Sequence, residues 1–384
     1  MLKVSERGLI SPFIVMDVMR AANERSVAGE DVMHLEVGQP STPAPRKVLE
    51  AAKRILDSQL LGYTDALGIP PLRSKIADYY RGHYGIAVEP SRIVVTTGSS
   101  GGFLLAFLSA FDVGDTVGLA IPTYPAYKNI LVALGLRAVD IPVGPDSHFQ
   151  LTPEILEPFV SELDGLIVAS PSNPTGSMVD EAGMRGLAKW CDQNGTRLIS
   201  DEIYHGITYG DSAETALAFS DDVIVINSFS KYFSMTGWRL GWMVAPESML
   251  RSIECLSQNL FISPPSLSQA AVLDVFDCFD ELNENVAKYS ENRNLLLKEL
   301  PRAGLESFAP SDGAFYIYAD VSHLTNDSNE FCRRLLAETG IAITPGIDFD
   351  NVRGHNFIRI CYSGDTEEVA KAMLRFKDWL FPMT

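Results

Sequence analysis

A chain of 384 residues is long enough for two or three domain-sized units, and 46% hydrophobic residues supply a large core. A formal net charge of −18 argues against nucleic acid or an anionic membrane as partner, because both select a basic face. The five cysteines, Cys191, Cys255, Cys278, Cys332 and Cys361, form no C-x-x-C pair. That pattern points away from a zinc knuckle or a disulfide framework and toward a reducing cytoplasm.

In chain order, the stretch "GLISPFIVMDVM" is interrupted by Ser11, Pro12 and Asp17 and lacks the flanks of a signal peptide. The segment up to residue 45 is too irregular to stand alone, so it is expected to pack on the C-terminal part or to cover a site. No stretch approaches the roughly 18 uninterrupted apolar residues of a membrane span. From about residue 90, short apolar runs alternate with helical stretches. Strands are predicted at "RIVVTT", "TVGLAI", "RAVDIP", "GLIVAS", "TRLIS" and "DVIVINS", and an amphipathic helix at "DEAGMRGLAKWCDQNG". That rhythm predicts an α/β fold around a mostly parallel, buried sheet. "ESMLRSIECLSQ" and the stretch from Ser266 to about Leu300 read as helical. Near Pro301 the pattern changes to strand, helix, strand, helix, which predicts a second, smaller α/β unit ending in the amphipathic "TEEVAKAMLRFKDWLF".

Ligands of parallel α/β sheets bind beyond the carboxyl ends of the strands, so the residues after each run carry the chemistry. "GSSGG" after the first run places Gly98, Ser99 and Ser100 at a helix start, where backbone N–H groups can cradle phosphate. It matches neither a Walker loop nor G-x-G-x-x-G, and alone it reads more readily as a tight turn. "PTYPAY" offers Tyr124 and "PSNPTG" offers Asn173, each also an ordinary turn in isolation. "DEIYHG" puts Asp201 at a buried strand end, with Tyr204 close behind. A buried acid is costly unless a cation meets it. "NSFSKYFSMTGWRLGW" supplies Ser228, Lys231 and Arg239. The cation is therefore either Lys231 itself or a positively charged cofactor ring. Pyridoxal 5′-phosphate is such a cofactor. It needs a lysine, an acid for its ring nitrogen and a donor-rich phosphate cup.

At these residues the chain resembles the class I/II aminotransferases of fold type I, closest in character to the aspartate/alanine-type branch. The resemblance runs through "ISPF", "LEVGQPSTPAP", "LGYTDALGIPPLR", "SPSNPTG", "SDEIY", "SFSKYFSMTGWRLGW", "SDGAFYIY" and "NFIRICYS". It implies a large cofactor-binding domain over 46–285, with a seven-stranded, mostly parallel sheet between helices. A small domain would be formed by 1–45 with 286–384. It further implies that Lys231 bears pyridoxal 5′-phosphate and serves as general base, while Asp201 pairs with the ring nitrogen. Asn173 and Tyr204 would bond the 3′-oxygen, and Tyr124 would stack on the ring. Ser99, Ser100, Ser228 and Arg239 would hold the phosphate, joined by Tyr63 from the other subunit of a homodimer. Arg359 would clamp the substrate α-carboxylate with help from Gly38 and Asn173. The implied reaction moves an amino group between an L-α-amino acid and a 2-oxo acid, without a metal.

Rival readings share some of these residues. Ser228-Phe-Ser-Lys231 spells S-x-x-K, the nucleophile motif of serine acyltransferases and β-lactamases, but no S-D-N or K-T-G accompanies it. Lyase or synthase chemistry on the same cofactor and fold uses nearly the same set. A non-catalytic regulator of this fold would carry a basic helix-turn-helix segment, and none precedes the motifs. The helix "GGFLLAFLSAF" has no cation and the segment around Phe13 and Ile14 is apolar, which favours a neutral or hydrophobic substrate side chain. Arg20 or Arg25 of either subunit is the competing source of a side-chain clamp for acidic substrates.

Overall fold

The structure, a computed structural model, describes residues 2–381. After a two-residue strand β1 (Met33–His34), strands β2 (Ile93–Thr96), β3 (Thr116–Ile121), β4 (Arg137–Pro142), β5 (Gly165–Ala169), β6 (Arg197–Asp201), β7 (Ile224–Ser228) and β8 (Gly241–Val244) follow. The last seven form one sheet of order β2-β8-β7-β6-β5-β3-β4. All neighbours run parallel except β8, which is antiparallel to both β2 and β7. Every residue of β2, β7 and β8 is buried, as expected of a sheet covered by helices on both faces. β4 closes one edge and exposes Arg137, Asp140 and Pro142.

The six runs predicted as strands are all present in this sheet. β8 escaped the reading because it follows β7 through an irregular loop, without the intervening helix that marks a βαβ unit. The stretch from Ser266 differs too: it is a helix over Ser266–Ala271, a 3₁₀ segment over Val272–Asp277, then a helix over Phe279–Glu299. Val272 and Val275 are the buried residues of the 3₁₀ segment, and a spacing of three suits the tighter helix.

Beyond residue 301 come β9 (Tyr316–Asp320), the helix Ser328–Thr339, β10 (Ile341–Ala342), β11 (Thr344–Pro345), β12 (Phe357–Cys361) and the helix Thr366–Leu380. β11, β12 and β9 form an antiparallel sheet in that order. β1 pairs in parallel with β10, which ties the N-terminal segment to this part of the chain. The helix Ile14–Val27 is tied there as well. No residue of its own caps it, and the N–H groups of Ile14 and Val15 donate to the Asp348 carboxylate at 2.9 and 3.1 Å.

Trp242 on β8 is fully buried and stands 4.8 Å from Phe229, with its indole N–H donating to Tyr80 at 3.2 Å. Trp242→Ala leaves a large void and an unpaired hydroxyl on the strand that joins β2 to β7. It should lower unfolding stability by about 3–5 kcal/mol in a denaturant titration. A loss below about 1 kcal/mol would show that this layer repacks freely.

Candidate active site

The carboxyl ends of β3, β5, β6 and β7 open on one edge of the sheet, and the site is built there. Asp201 ends β6 and is buried. Its carboxylate accepts hydrogen bonds from the Tyr127 hydroxyl and, at 3.2 Å, from the Ile203 N–H. Burial pushes its pKa up to about 6, against the lowering effect of those two donors and of nearby Lys231. Two donors are a sparse shell for a buried carboxylate. The arrangement calls for a cation opposite it.

Lys231 lies three residues beyond the end of β7, the strand adjacent to β6. Its ammonium donates to the Gly38 carbonyl at 2.6 Å and lies 5.9 Å from the centre of the Tyr204 ring. Desolvation brings its pKa down to about 8. The Arg359 and Arg239 charges push the same way, against Cys361 and Asp201. A lysine amine that is half free near pH 8 can act as nucleophile and base. Tyr204 is buried, and its hydroxyl is 2.6 Å from that of Tyr316 on β9. Gly38 cannot carry a side chain here, because a Cβ would sit 1.7 Å from the Tyr316 oxygen.

Arg359, in the middle of β12, is buried at 2% exposure and meets no protein carboxylate among its hydrogen-bond partners. Its guanidinium donates to Asn173 Oδ1 at 2.8 Å, the Glu36 carbonyl at 2.5 Å and Thr344 Oγ1 at 3.2 Å, while Nε has no partner. It is sandwiched between the rings of Tyr316 and Phe349, at 4.5 and 4.6 Å. A buried guanidinium with only neutral partners is a receptor for an anion. Tyr124 is half-buried, edge-on to Phe13 at 5.5 Å and to Tyr127 at 5.3 Å.

The helix Gly98–Ala110 starts without a side-chain cap, which leaves its first N–H groups available. Ser99 is half-buried and Ser100 exposed. Gly98 has φ +69°, and a Cβ there would come within 2.4 Å of the Arg239 guanidinium, so arginine and helix start share one cradle. Gly241, next on β8 after the same arginine, packs just as closely: its Cβ would fall 3.0 Å from the Ser99 nitrogen. Arg239 is itself left-handed, at φ 53°, and exposed. Ser228 is buried, its hydroxyl 2.8 Å from Ser230 Oγ and 3.2 Å from the Leu240 carbonyl. It thus shares no hydrogen-bond partner with Lys231 of the kind an S-x-x-K pair needs.

Three predicted candidates stand apart from this cluster. Tyr63 lies on the loop after the helix Arg46–Ser58 and is 84% exposed. Arg20 pairs with Asp17 on the surface, and Arg25 pairs with Glu30 and the Ala337 carbonyl. Beside the site, a cavity of ≈ 340 Å³ is lined by Ile14, Ile121, Thr123, Lys128, Asp348 and Phe349 among others. Lys128 is the one cation on its wall and is held by Asp140 at 2.6 Å. Sequence reasoning missed Tyr127, Tyr316, Thr344 and Phe349. Tyr127 had a signal, since it is one helical turn from Tyr124; Tyr316 had its place in the alternating "AFYIYAD".

The chain belongs to the aminotransferase class I and II family, whose model matches residues 30–376. It is 49% identical over 382 residues to the valine–pyruvate aminotransferase of Mycobacterium tuberculosis, with 98% of each chain covered. It is 36% identical over 374 residues, 96% of each chain, to the (5-formylfuran-3-yl)methyl phosphate transaminase of Methanocaldococcus jannaschii. A crystal structure of an aminotransferase from Mycobacterium tuberculosis matches 99% of both chains with a TM-score of 0.97 at 49% identity. The fold is that of the fold-type I enzymes, and the chain is an aminotransferase that exchanges amino groups between amino acids and 2-oxo acids. Among the described residues, no helix is long and apolar enough to cross a membrane.

The lowered pKa of Lys231 has a thermodynamic consequence. A lysine that deprotonates near pH 8 when folded and near 10.5 when unfolded binds fewer protons in the folded state across that window. The ligand-free protein should therefore gain stability relative to Lys231→Met as pH rises from about 8 to 10.5. A stability difference that stays constant over this window, measured by denaturant titration, would contradict the burial of the amine.

Proposed function

We propose that the chain is a pyridoxal 5′-phosphate-dependent aminotransferase acting on a neutral or hydrophobic L-α-amino acid. The observation that carries this reading is a buried carboxylate raised to about 6 beside a lysine lowered to about 8, at the ends of adjacent strands. The residues fit the cofactor. Asp201 lacks a cation that a protonated ring nitrogen would supply, and the Gly98–Arg239 cradle offers a helix start and a guanidinium to a phosphate. Ser99, Ser100 and Ser228 would complete that cup, Asn173 and Tyr204 would face the 3′-oxygen, and Tyr124 would cover the ring. When bound, pyridoxal phosphate supplies an electron sink that weakens the Cα–H bond of the amino acid.

The protein's share of the chemistry is orientation and proton transfer. Arg359, braced by two rings and fixed by Asn173 and Thr344, receives the α-carboxylate in a planar fork, with Gly38 alongside. The Lys231 amine, deprotonated in a large fraction of molecules near pH 8, would take the Cα proton and deliver it to the cofactor's C4′, which leaves the amine free again. Asp201 stays ionised once a positive charge faces it.

Substrate preference follows from which cations are free. Lys128, Arg20, Arg25 and Arg353 each already hold an acid, so no unpaired cation among them awaits a side-chain carboxylate. Phe13 and Phe349 bring apolar surface instead. The name of the relative from Mycobacterium tuberculosis, valine–pyruvate aminotransferase, supports the same choice. We place the enzyme in the cytoplasm, in keeping with its five free cysteines, and as a homodimer in which a second copy covers the exposed Leu60–Tyr63 loop and places Tyr63 at the other site. The partition into a large unit, 46–285, and a small one of 1–45 with 286–384 is part of the same proposal.

Borohydride treatment should fix the cofactor on the peptide containing Lys231; label on another lysine would sink the assignment. Asp201→Asn should retain cofactor and lose turnover by on the order of 100-fold, as for removal of a buried electrostatic partner. Near-normal rates in that variant would refute its role. A half-reaction screen of amino acids should give a higher kcat/KM for valine or another neutral amino acid than for aspartate. The reverse order would show that an acidic side chain finds a cation.

A further inference from the structure

Tyr316 belongs to none of the roles above, yet it touches both halves of the site. Its ring supports one face of the Arg359 guanidinium at 4.5 Å, and its hydroxyl is 2.6 Å from that of Tyr204. The residue is 1% exposed and sits on β9 opposite Cys361, diagonal to Arg359 on the same face of the sheet. The oxygen is pinned against Gly38, whose Cα leaves no room for a Cβ. The Gly38 carbonyl in turn holds Lys231. One tyrosine thus links the carboxylate receptor, the lysine anchor and Tyr204 through rigid contacts.

Hydroxyl chemistry gives the link a direction. Two tyrosine hydroxyls at 2.6 Å share one proton, and the other proton is left for a further acceptor. Among the described residues the hydrogen-bond partner of the Tyr316 hydroxyl is Tyr204, and the Gly38 CH₂ group packed against the same oxygen accepts nothing. If Tyr204 donated to Tyr316, the Tyr316 proton would have no acceptor among the described residues. If Tyr316 donates, the Tyr204 proton is free to point into the site. We propose that Tyr316 is a positioning residue for transamination. Its hydroxyl donates to Tyr204 and so commits the Tyr204 proton to the cofactor's 3′-oxygen, while its ring braces Arg359 for the substrate carboxylate. This rests on the cofactor assignment made above.

The two functions separate by substitution. Tyr316→Phe keeps the ring under Arg359 and removes the hydroxyl; Tyr316→Leu removes both. In the holoenzyme, the pH midpoint of the visible band of the lysine-bound cofactor reads how strongly the 3′-oxygen anion is stabilised. Tyr316→Phe should move that midpoint upward by roughly 0.5 pH unit, the size of one hydrogen bond's worth of stabilisation, with KM for amino acid within about twofold of wild type. Tyr316→Leu should shift the midpoint equally and raise KM about tenfold as well. In the double variant with Tyr204→Phe, the Tyr316→Phe shift should vanish, because Tyr316 acts only through Tyr204. Gly38→Ala, which must displace the Tyr316 oxygen, should shift the midpoint in the same direction. A midpoint in Tyr316→Phe that matches wild type, or a shift that persists fully in the Tyr204→Phe background, overturns the proposal. A wild-type protein without a visible band on Lys231 fails the cofactor assignment instead, and that outcome is distinguishable.

Discussion

A carboxylate at the end of a buried strand is the constraint on which the site depends. Asp201 sits between β5 and β7 in the middle of the sheet, where water cannot solvate it, and the Tyr127 hydroxyl and one backbone N–H are its hydrogen-bond donors. Ionising such a group requires positive charge nearby, and the fold brings Lys231 to the next strand end. Each group pulls the other toward its charged form, while burial pushes both toward neutrality, and burial wins in both. The result is a carboxylate and an amine that both titrate closer to neutral pH than the free groups do. For the amine, that is the condition for moving a proton without a large thermodynamic step.

The second receptor, Arg359, solves a different problem with the same economy of charge. Its hydrogen-bond partners are neutral oxygens and two aromatic faces flank it, so the guanidinium is held in orientation without a direct ion pair. An acid in that position would quench it. The antiparallel sheet β11-β12-β9 exists in this sense to deliver one unquenched cation to the edge of the larger sheet, and Asn173 makes the connection across the two. The N-terminal helix closes the same region through Asp348, which is three residues beyond β11 and next to Phe349.

Much of this was legible in the sequence, and the gaps have physical causes. The six β-rich runs were visible because buried parallel strands are continuously apolar, and the polar residues following them marked the functional edge. Lys231, Asp201 and Arg359 stood out because charged groups beside apolar runs are expensive, whereas Asn173 and Tyr204 were singled out by the family resemblance; the structure brings these five into one cluster. Tyr127 and Tyr316 did not stand out. A tyrosine is an ordinary core residue until the contacts of its hydroxyl are known, and here the partners lie 74 and 112 residues away in sequence. Asp348 looked like one acid among many until its two hydrogen bonds across 334 and 333 residues made it a helix cap. β8 was hidden by the loss of the βαβ rhythm. Long-range hydrogen bonds and antiparallel returns are the features a local pattern does not carry.

The central claim is that burial of Asp201 selects a positively charged ring at its side. Reconstitution with pyridoxal phosphate labelled with ¹⁵N in the ring, followed by ¹⁵N NMR of the holoenzyme between about pH 6 and 9, tests it most directly. The account predicts a protonated ring nitrogen throughout that range in the wild-type protein and a neutral one in Asp201→Ala. A neutral ring nitrogen in the wild-type enzyme would contradict it.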